Sequence, residues 1–247
     1  MIQVSNISKS FGGKLILHPI DFTFEQGKAN LIIGASGTGK TVLMKTIVGL
    51  VKPDSGYVLY NNRNFTQGDT DLKTEIRREM GMLFQNSALF DSMNVEDNVM
   101  FPLNMLSNMS KSEKHDRVNI CLERVGLAGS NKKMPSELSG GMKKRVGIAR
   151  AIVLTPKYLF CDEPNSGLDP QTSILIDNLI YELTHEYNTT TIVVTHDMNS
   201  VMEIGDSIIF MYQGKKLWEG SNKNILDTEV KELQDFIFAN RLMRDLR

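Results

Sequence analysis

Gly34-Ala35-Ser36-Gly37-Thr38-Gly39-Lys40-Thr41 fits the pattern G-x-x-x-x-G-K-[ST], and it follows a short apolar run, Ala29 to Ile33, that reads as a buried strand. Together they imply a site for a nucleoside triphosphate. Glycines let such a turn fold tightly, so that successive backbone N–H groups converge on phosphate oxygens. Lys40 can then reach the β- and γ-phosphates, and the Thr41 hydroxyl can ligate Mg²⁺. The stretch from Thr41 to Val48 reads as a helix whose N-terminus faces the anion. An unused Gly-rich turn is the bland alternative, and the strand before it and helix after it argue against that.

The rest of the chain sets the bounds. At 247 residues, 41% hydrophobic and with a net charge of −1, it accommodates one large domain or one domain with a lobe inserted, and a disordered or fibrous class is excluded. No long run of Lys or Arg appears, so nucleic acid is not an expected partner. Cys121 and Cys161 lie far apart without metal-type spacing, which predicts buried free thiols and a reducing compartment. Met1-Ile2-Gln3-Val4-Ser5 lacks the basic patch and apolar core of a signal peptide, and no stretch approaches the roughly 20 apolar residues that span a bilayer. A soluble chain is expected, with any membrane role resting on a partner.

Short apolar pieces at Ile2–Val4, Leu15–Leu17 and Phe22–Phe24, separated by turns at Gly12-Gly13 and Gln26-Gly27, read as strands. Pro53-Asp54-Ser55-Gly56 is a turn and Tyr57–Tyr60 is strand-like, so a small antiparallel sheet is expected to flank the nucleotide. From 86 to 137 the character changes: Val95–Met105 and Lys111–Val125 carry helical apolar spacing, which suggests an inserted helical lobe. Beyond it, Tyr158–Cys161, Thr191–Val194 and Ser207–Tyr212 are strand-like, and Lys143–Leu154 and Thr172–Glu186 are helical. This alternation predicts an α/β fold with a mainly parallel core sheet, built from 1–85 and 138–224, followed by a helical tail over 225–247.

A second phosphate-handling element stands at Leu138-Ser139-Gly140-Gly141-Met142, directly before a basic helix starting at Lys143. With Gly34 to Thr41 before it, Tyr158-Leu159-Phe160-Cys161-Asp162-Glu163 after it, then Ser166-Gly167-Leu168-Asp169 and His196, the chain resembles the ATPase subunit of an ABC transporter from Ile2 to about Gly220. The resemblance implies a phosphate-loop ATPase fold, ATP and Mg²⁺ as ligands, and a role for each motif. Asp162 would hold Mg²⁺ together with Thr41 and Gln85, and Glu163 would polarise the attacking water. Gln85 would sense the metal and γ-phosphate at the lobe junction, and His196 would contact the γ-phosphate and orient the water. Phe11 stands where the family places an aromatic, most often Tyr, against the adenine face, and stacking does not need the missing hydroxyl. His18, His115 and His185 match no motif and read as solvated.

In that family the signature, Leu138 to Met142, serves the nucleotide of the other subunit in a head-to-tail pair, so a homodimer of ATPase domains is implied. Met142 departs from the usual Gln. That form, with Leu83-Phe84-Gln85, Ala88-Leu89-Phe90 and Met93-Asn94-Val95-Glu96-Asp97-Asn98-Val99, is similar to the ATPases of MCE-associated, Mla-type phospholipid transporters of bacteria. This branch implies a multispan permease, a periplasmic MCE-domain protein and, in some systems, a STAS-domain partner. The chain would then lie on the cytoplasmic face of the inner membrane. An ATPase of a methionine or other amino-acid importer is the nearest alternative. A non-transport ABC protein acting on ribosomes or chromosomes is opposed by the single ATPase domain without a long coiled-coil insertion, and a binding module without turnover by Glu163 and His196. Six methionines, Met80, Met82, Met93, Met100, Met105 and Met109, surround the lobe where the family receives its permease and suit either an adaptable groove or ordinary core.

Overall fold

Strand β1 (Ile2–Phe11) turns through Gly12 and Gly13, with φ of 54° and 77°, into β2 (Lys14–Phe24). In the computed structural model, which describes residues 1–239, these are two long antiparallel strands rather than the three short pieces expected. The register shifts between Val4 and Ile7 and again near Lys9, and Asn6 has a φ of 50°, so the apolar alternation breaks although the pairing continues. β4 (Ser55–Tyr60) pairs with β1, and β5 (Arg63–Asn64) with β4, giving the antiparallel sheet order β2-β1-β4-β5.

Backbone contacts divide the chain into two units, Met1–Arg77 with Thr190 onward, and Arg78–Thr189. The first unit holds the antiparallel sheet and a second set of strands. β3 (Ala29–Ile33) lies between β8 (Thr190–Thr195) and β9 (Ser207–Tyr212), parallel to both, and β10 (Lys215–Gly220) runs antiparallel on β9. Every residue of β3 and β8 is buried, as strands covered on both faces require. Helices α1 (Lys40–Val48), α2 (Thr70–Arg78), α7 (Met198–Ile204) and α8 (Lys231–Ile237) complete the described part. The expected tail is a short 3-10 turn at Ile225–Asp227 followed by α8, whose Leu233 and Ile237 are buried; positions 240–247 lie outside the described residues.

The second unit pairs β6 (Met80–Leu83) with β7 (Tyr158–Asp162) in parallel. Its helices are α3 (Val95–Leu106), α4 (Lys111–Arg124), α5 (Gly140–Ile152) and α6 (Pro170–Glu186). α4 starts in a capping box between Ser110 and Glu113, while α3 starts where the Asn94 side chain accepts from the Asp97 N–H. Helix α5 begins at Gly140, ahead of the expected Lys143, because the Ser139 side chain caps it by accepting from the Met142 N–H at 3.2 Å. Both cysteines are buried free thiols, and burial pushes the Cys161 thiol up to about 12. His115 is not simply solvated: its Nδ1 lies 2.8 Å from the buried Glu96 carboxylate.

Candidate active site

In the first unit β3 delivers the chain into the glycine-rich loop, where Gly34, Gly37 and Gly39 take φ of 145°, 79° and 99°. A Cβ on Gly34 would stand 2.3 Å from the Met211 carbonyl oxygen, whereas one on Gly37 would meet nothing. Gly34 therefore permits a close backbone approach, and Gly37 supplies only the turn's conformation. α1 has no side-chain cap at Gly39 and no acidic residue in its first turn, so the positive end of its dipole suits an anion. Lys40 is buried; its Nζ donates to the carbonyl oxygens of Gly34 at 2.8 Å and Ala35 at 3.0 Å, folded over the loop. Thr38 Oγ1 donates to the Ala35 carbonyl at 2.9 Å, while Ala35, Ser36 and Gly37 face solvent. This is a cationic, donor-rich cradle, and the triphosphate expected from the sequence fits its chemistry.

Parallel strands bring their carboxyl ends to one edge. Ile33 is the register partner of Thr195, so Gly34 and His196 leave the same edge. His196 is exposed there, and Asp197 beside it caps α7 by accepting from the Asn199 N–H at 2.9 Å. Phe11, at the hairpin tip, is 49% exposed, and the Lys9 ammonium lies 5.2 Å from its ring centroid. Lys9 is itself held by Asp54 at 2.7 Å. An exposed ring beside a cation suits a stacking base.

The second unit repeats the device. Leu83 pairs with Cys161, so Gln85 and Glu163 leave the β6–β7 edge together. Asp162 is buried at the end of β7, and Glu163 beyond it is half-buried with φ of 47°, a conformation that a non-glycine residue adopts only when its surroundings enforce it. Gln85 is exposed, with its Nε2 3.5 Å from Ser166 Oγ. Gly167 takes a φ of 79°, Leu168 follows it, and Asp169 caps α6 by accepting from the Thr172 N–H at 3.0 Å. Hydrogen bonds from Thr172 hold the Asp169 carboxyl below the usual carboxylate range. Under this segment Asn165 Nδ2 donates to Asp177 Oδ2 at 2.8 Å in the interior.

In the signature Leu138 is buried, Ser139 and Gly140 are exposed, and a Cβ on Gly141 would come within 2.5 Å of Thr172 Cγ2. Gly141 thus lets α5 lie against α6. With no acidic residue in its first turn, α5 presents a second helix N-terminus suited to an anion. Of the residues expected to hold Mg²⁺, the Thr41 hydroxyl in the first unit, and the Gln85 amide oxygen and Asp162 carboxylate in the second, are each hard oxygen donors of the kind Mg²⁺ takes. Among the described residues no group of three or more His, Cys, Asp or Glu could hold an ion, and Mg²⁺ that shares its coordination with phosphates needs none.

Three residues that hold backbone in place have no role of their own in the sequence reading, where Asn98 stands only within the segment from Met93 to Val99. Buried Lys144 donates to the backbone carbonyls of Gln85 and, at 3.2 Å, Glu163. Burial holds its ammonium below the usual lysine range, against the pull of Cys161, Glu163 and Asp162. Arg150 donates to the carbonyls of Ser87 at 2.6 Å and Ala88 at 2.8 Å. Asn98, fully buried, accepts from the Phe90 N–H at 2.8 Å and donates to the carbonyls of Phe90, Met93 and Asn94. A lysine in a basic helix reads as solvated until the packing is seen, and nothing local marks these three.

Such a loop, strand-end acids and capped signature helix define the class of phosphate-loop ATPases. Residues 17–166 match the model of the ABC transporter family, and the chain belongs to that family as an ATP-binding, ATP-hydrolysing subunit. It is 36% identical to a probable ribonucleotide transport ATP-binding protein, mkl, of Mycobacterium tuberculosis, over 98% of this chain and 67% of that one. It is 38% identical to the intermembrane phospholipid transport system ATP-binding protein MlaF of Escherichia coli, over 96% and 89% respectively. Methionine import ATP-binding protein MetN 1 of Pseudomonas fluorescens is 39% identical, over 89% and 67%. The fold matches the ATP-binding cassette MJ0796, seen as a dimer in a post-hydrolysis state with ADP and Pi, at a TM-score of 0.81, 32% identity and coverage of 90% and 99%.

Proposed function

We propose that this ATPase powers an MCE-type, Mla-like transporter that moves phospholipid between the inner and outer membranes of a bacterium. The observation that carries this is the coincidence of Met142 and the segment from Ala88 to Val99 with a likeness to a phospholipid-transport ATPase along nearly the full length of both chains. The partners on this reading are an identical ATPase subunit, a multispan permease, a periplasmic MCE-domain protein and, as in some systems of this type, a STAS-domain protein. Among the described residues no helix is long and apolar enough to cross a membrane, so the permease would hold this chain at the cytoplasmic face. We assign 86–137 as the helical lobe inserted in the core and 225–247 as a C-terminal tail.

The residue roles are part of the proposal. The phosphate loop and Lys40 hold the phosphates, Phe11 stacks on the base, and Mg²⁺, held by Thr41, Gln85 and Asp162, would neutralise charge developing on the phosphoryl oxygens. Glu163 accepts a proton from the attacking water, and His196 orients that water. Ser139 and the first N–H groups of α5 cover the γ-phosphate held by the second subunit. Binding two ATP molecules closes the pair and hydrolysis releases it, which shifts the permease between its states.

Docking of the permease is supported in the second unit by a groove of about 400 Å³ lined by Met80, Met82, Phe84, Phe90, Phe101 and Leu106. None of the six methionines between Met80 and Met109 belongs to the buried core, and Met105 is 68% exposed. Arg150 lies over the Phe90 ring, which packs on Phe101 at 4.8 Å between centroids. The second reading, a methionine-type importer, rests on the comparable identity to MetN 1. Isolation of the native membrane assembly separates the two. An MCE-domain protein with bound phospholipid supports the first; a soluble amino-acid-binding protein with a polar solute overturns it and leaves the ATPase chemistry intact.

A further inference from the structure

We infer that Lys144 is a positioning residue through which α5 sets the carbonyl-anchored geometry of Gln85 and Glu163, and so couples the signature to the acid that activates water. The inference rests on the roles proposed above. Lys144 is only 5% exposed, and its ammonium spans the two ends of the β6–β7 edge, donating to the backbone oxygens of Gln85 and Glu163. A buried ammonium is tolerated only where it is hydrogen-bonded and charge-compensated. Here the two carbonyls accept hydrogen bonds from it, and Asp162 and Glu163 supply the opposite charge.

Neighbouring residues make α5 a strut rather than a chance contact. One turn along, a Cβ on Gly147 would meet Leu83 Cδ1 at 2.7 Å, so glycine brings the helix backbone against the end of β6. A further turn on, Arg150 holds Ser87 and Ala88 through their carbonyls. The segments so held carry strained residues: Ser87, Ala88 and Glu163 take φ of 60°, 45° and 47°. Non-glycine residues stay in the left-handed region only if the surrounding structure over-determines them. The opposite end of the same helix carries Ser139, so a displacement of the signature on engaging an anion reaches Gln85 and Glu163 through one rigid element.

The experiment compares the wild-type chain with Lys144→Met, Lys144→Gln and Lys144→Arg. It measures steady-state ATP turnover, equilibrium binding of a fluorescent ATP analogue, and thermal unfolding. Lys144→Met is expected to lower kcat about tenfold or more while the analogue's Kd moves less than about twofold, with Lys144→Arg recovering most of the rate because its guanidinium keeps both the charge and more than one donor. If the Met variant does not fold, Lys144→Gln, neutral but able to reach one carbonyl, carries the same test with a smaller loss of kcat. Unchanged kcat, or a loss of rate matched by equal losses of affinity and melting temperature, overturns the inference. A wild type without turnover would instead overturn the proposed roles on which it rests.

Discussion

Ile33 and Thr195 face each other in the parallel pair β3–β8, so the phosphate loop and His196 start from one strand edge. The two serve different ends on our account. Lys40→Ala removes the cation proposed to hold the phosphates, and a charge-assisted bond is worth about 1.5–3 kcal/mol. ATP affinity should therefore fall by roughly 10- to 100-fold. His196→Ala should instead leave affinity within about twofold and lower turnover by roughly 100-fold, the lower range for a positioned acid–base group. Nucleotide titration alongside steady-state rates distinguishes them, and equal effects of both variants on affinity would contradict the assignment.

On the proposed roles Glu163 accepts the proton of the attacking water, so Glu163→Gln should lower turnover by at least about 100-fold while ATP stays bound. On the proposed cycle hydrolysis opens the pair, so the variant should accumulate as a nucleotide-loaded dimer. Size-exclusion chromatography with Mg-ATP reads this directly, and a rate near that of wild type removes Glu163 from the role.

Phe11 offers an exposed ring without a polar group, so only its face matters. Phe11→Ala should weaken ATP binding by roughly tenfold, in line with about 1–3 kcal/mol for a base on an aromatic platform, and Phe11→Tyr should bind as wild type. A Tyr variant as weak as the Ala variant would mean that the ring does not stack.

The α3 and α4 region has a pH signature of its own. Burial works against the Glu96 carboxylate, yet hydrogen bonds from His115 and Lys132 outweigh it and hold the carboxyl below the usual range. A depressed carboxyl contributes stability above the unfolded-chain value of about 4.3 and loses it as pH falls through the folded value. Glu96→Gln should thus lower the melting temperature at neutral pH, and the difference from wild type should close on the acid side. A gap that does not change with pH contradicts the pairing.

The motifs with local spacing were legible before the fold: the loop, the strand before it, the strand-end acids and the signature all stand where their residues placed them. The antiparallel strands were legible only in pieces, since bulges near Asn6 and Lys9 break the two-residue period that reveals a strand. β10 escaped because it alternates exposed and half-buried positions and leaves no apolar run, and α7 because seven residues carry too little periodicity. Lys144, Arg150 and Asn98 act on backbone carbonyls distant in sequence or folded back by a loop, a relation that no local pattern encodes.

The central claim is that each ATP is held by the phosphate loop of one subunit and the signature of the other. Separately tagged chains, one Ser139→Arg and one Lys40→Ala, both also carrying Glu163→Gln, are mixed and the mixed dimers isolated. If the sites are shared, one site has both damaged elements and the other has neither, so the mixed dimer should retain one ATP while each parent alone retains almost none. If every site were built within a single chain, both sites of the mixed dimer would be damaged. Retention no greater than that of the parents would then contradict the account.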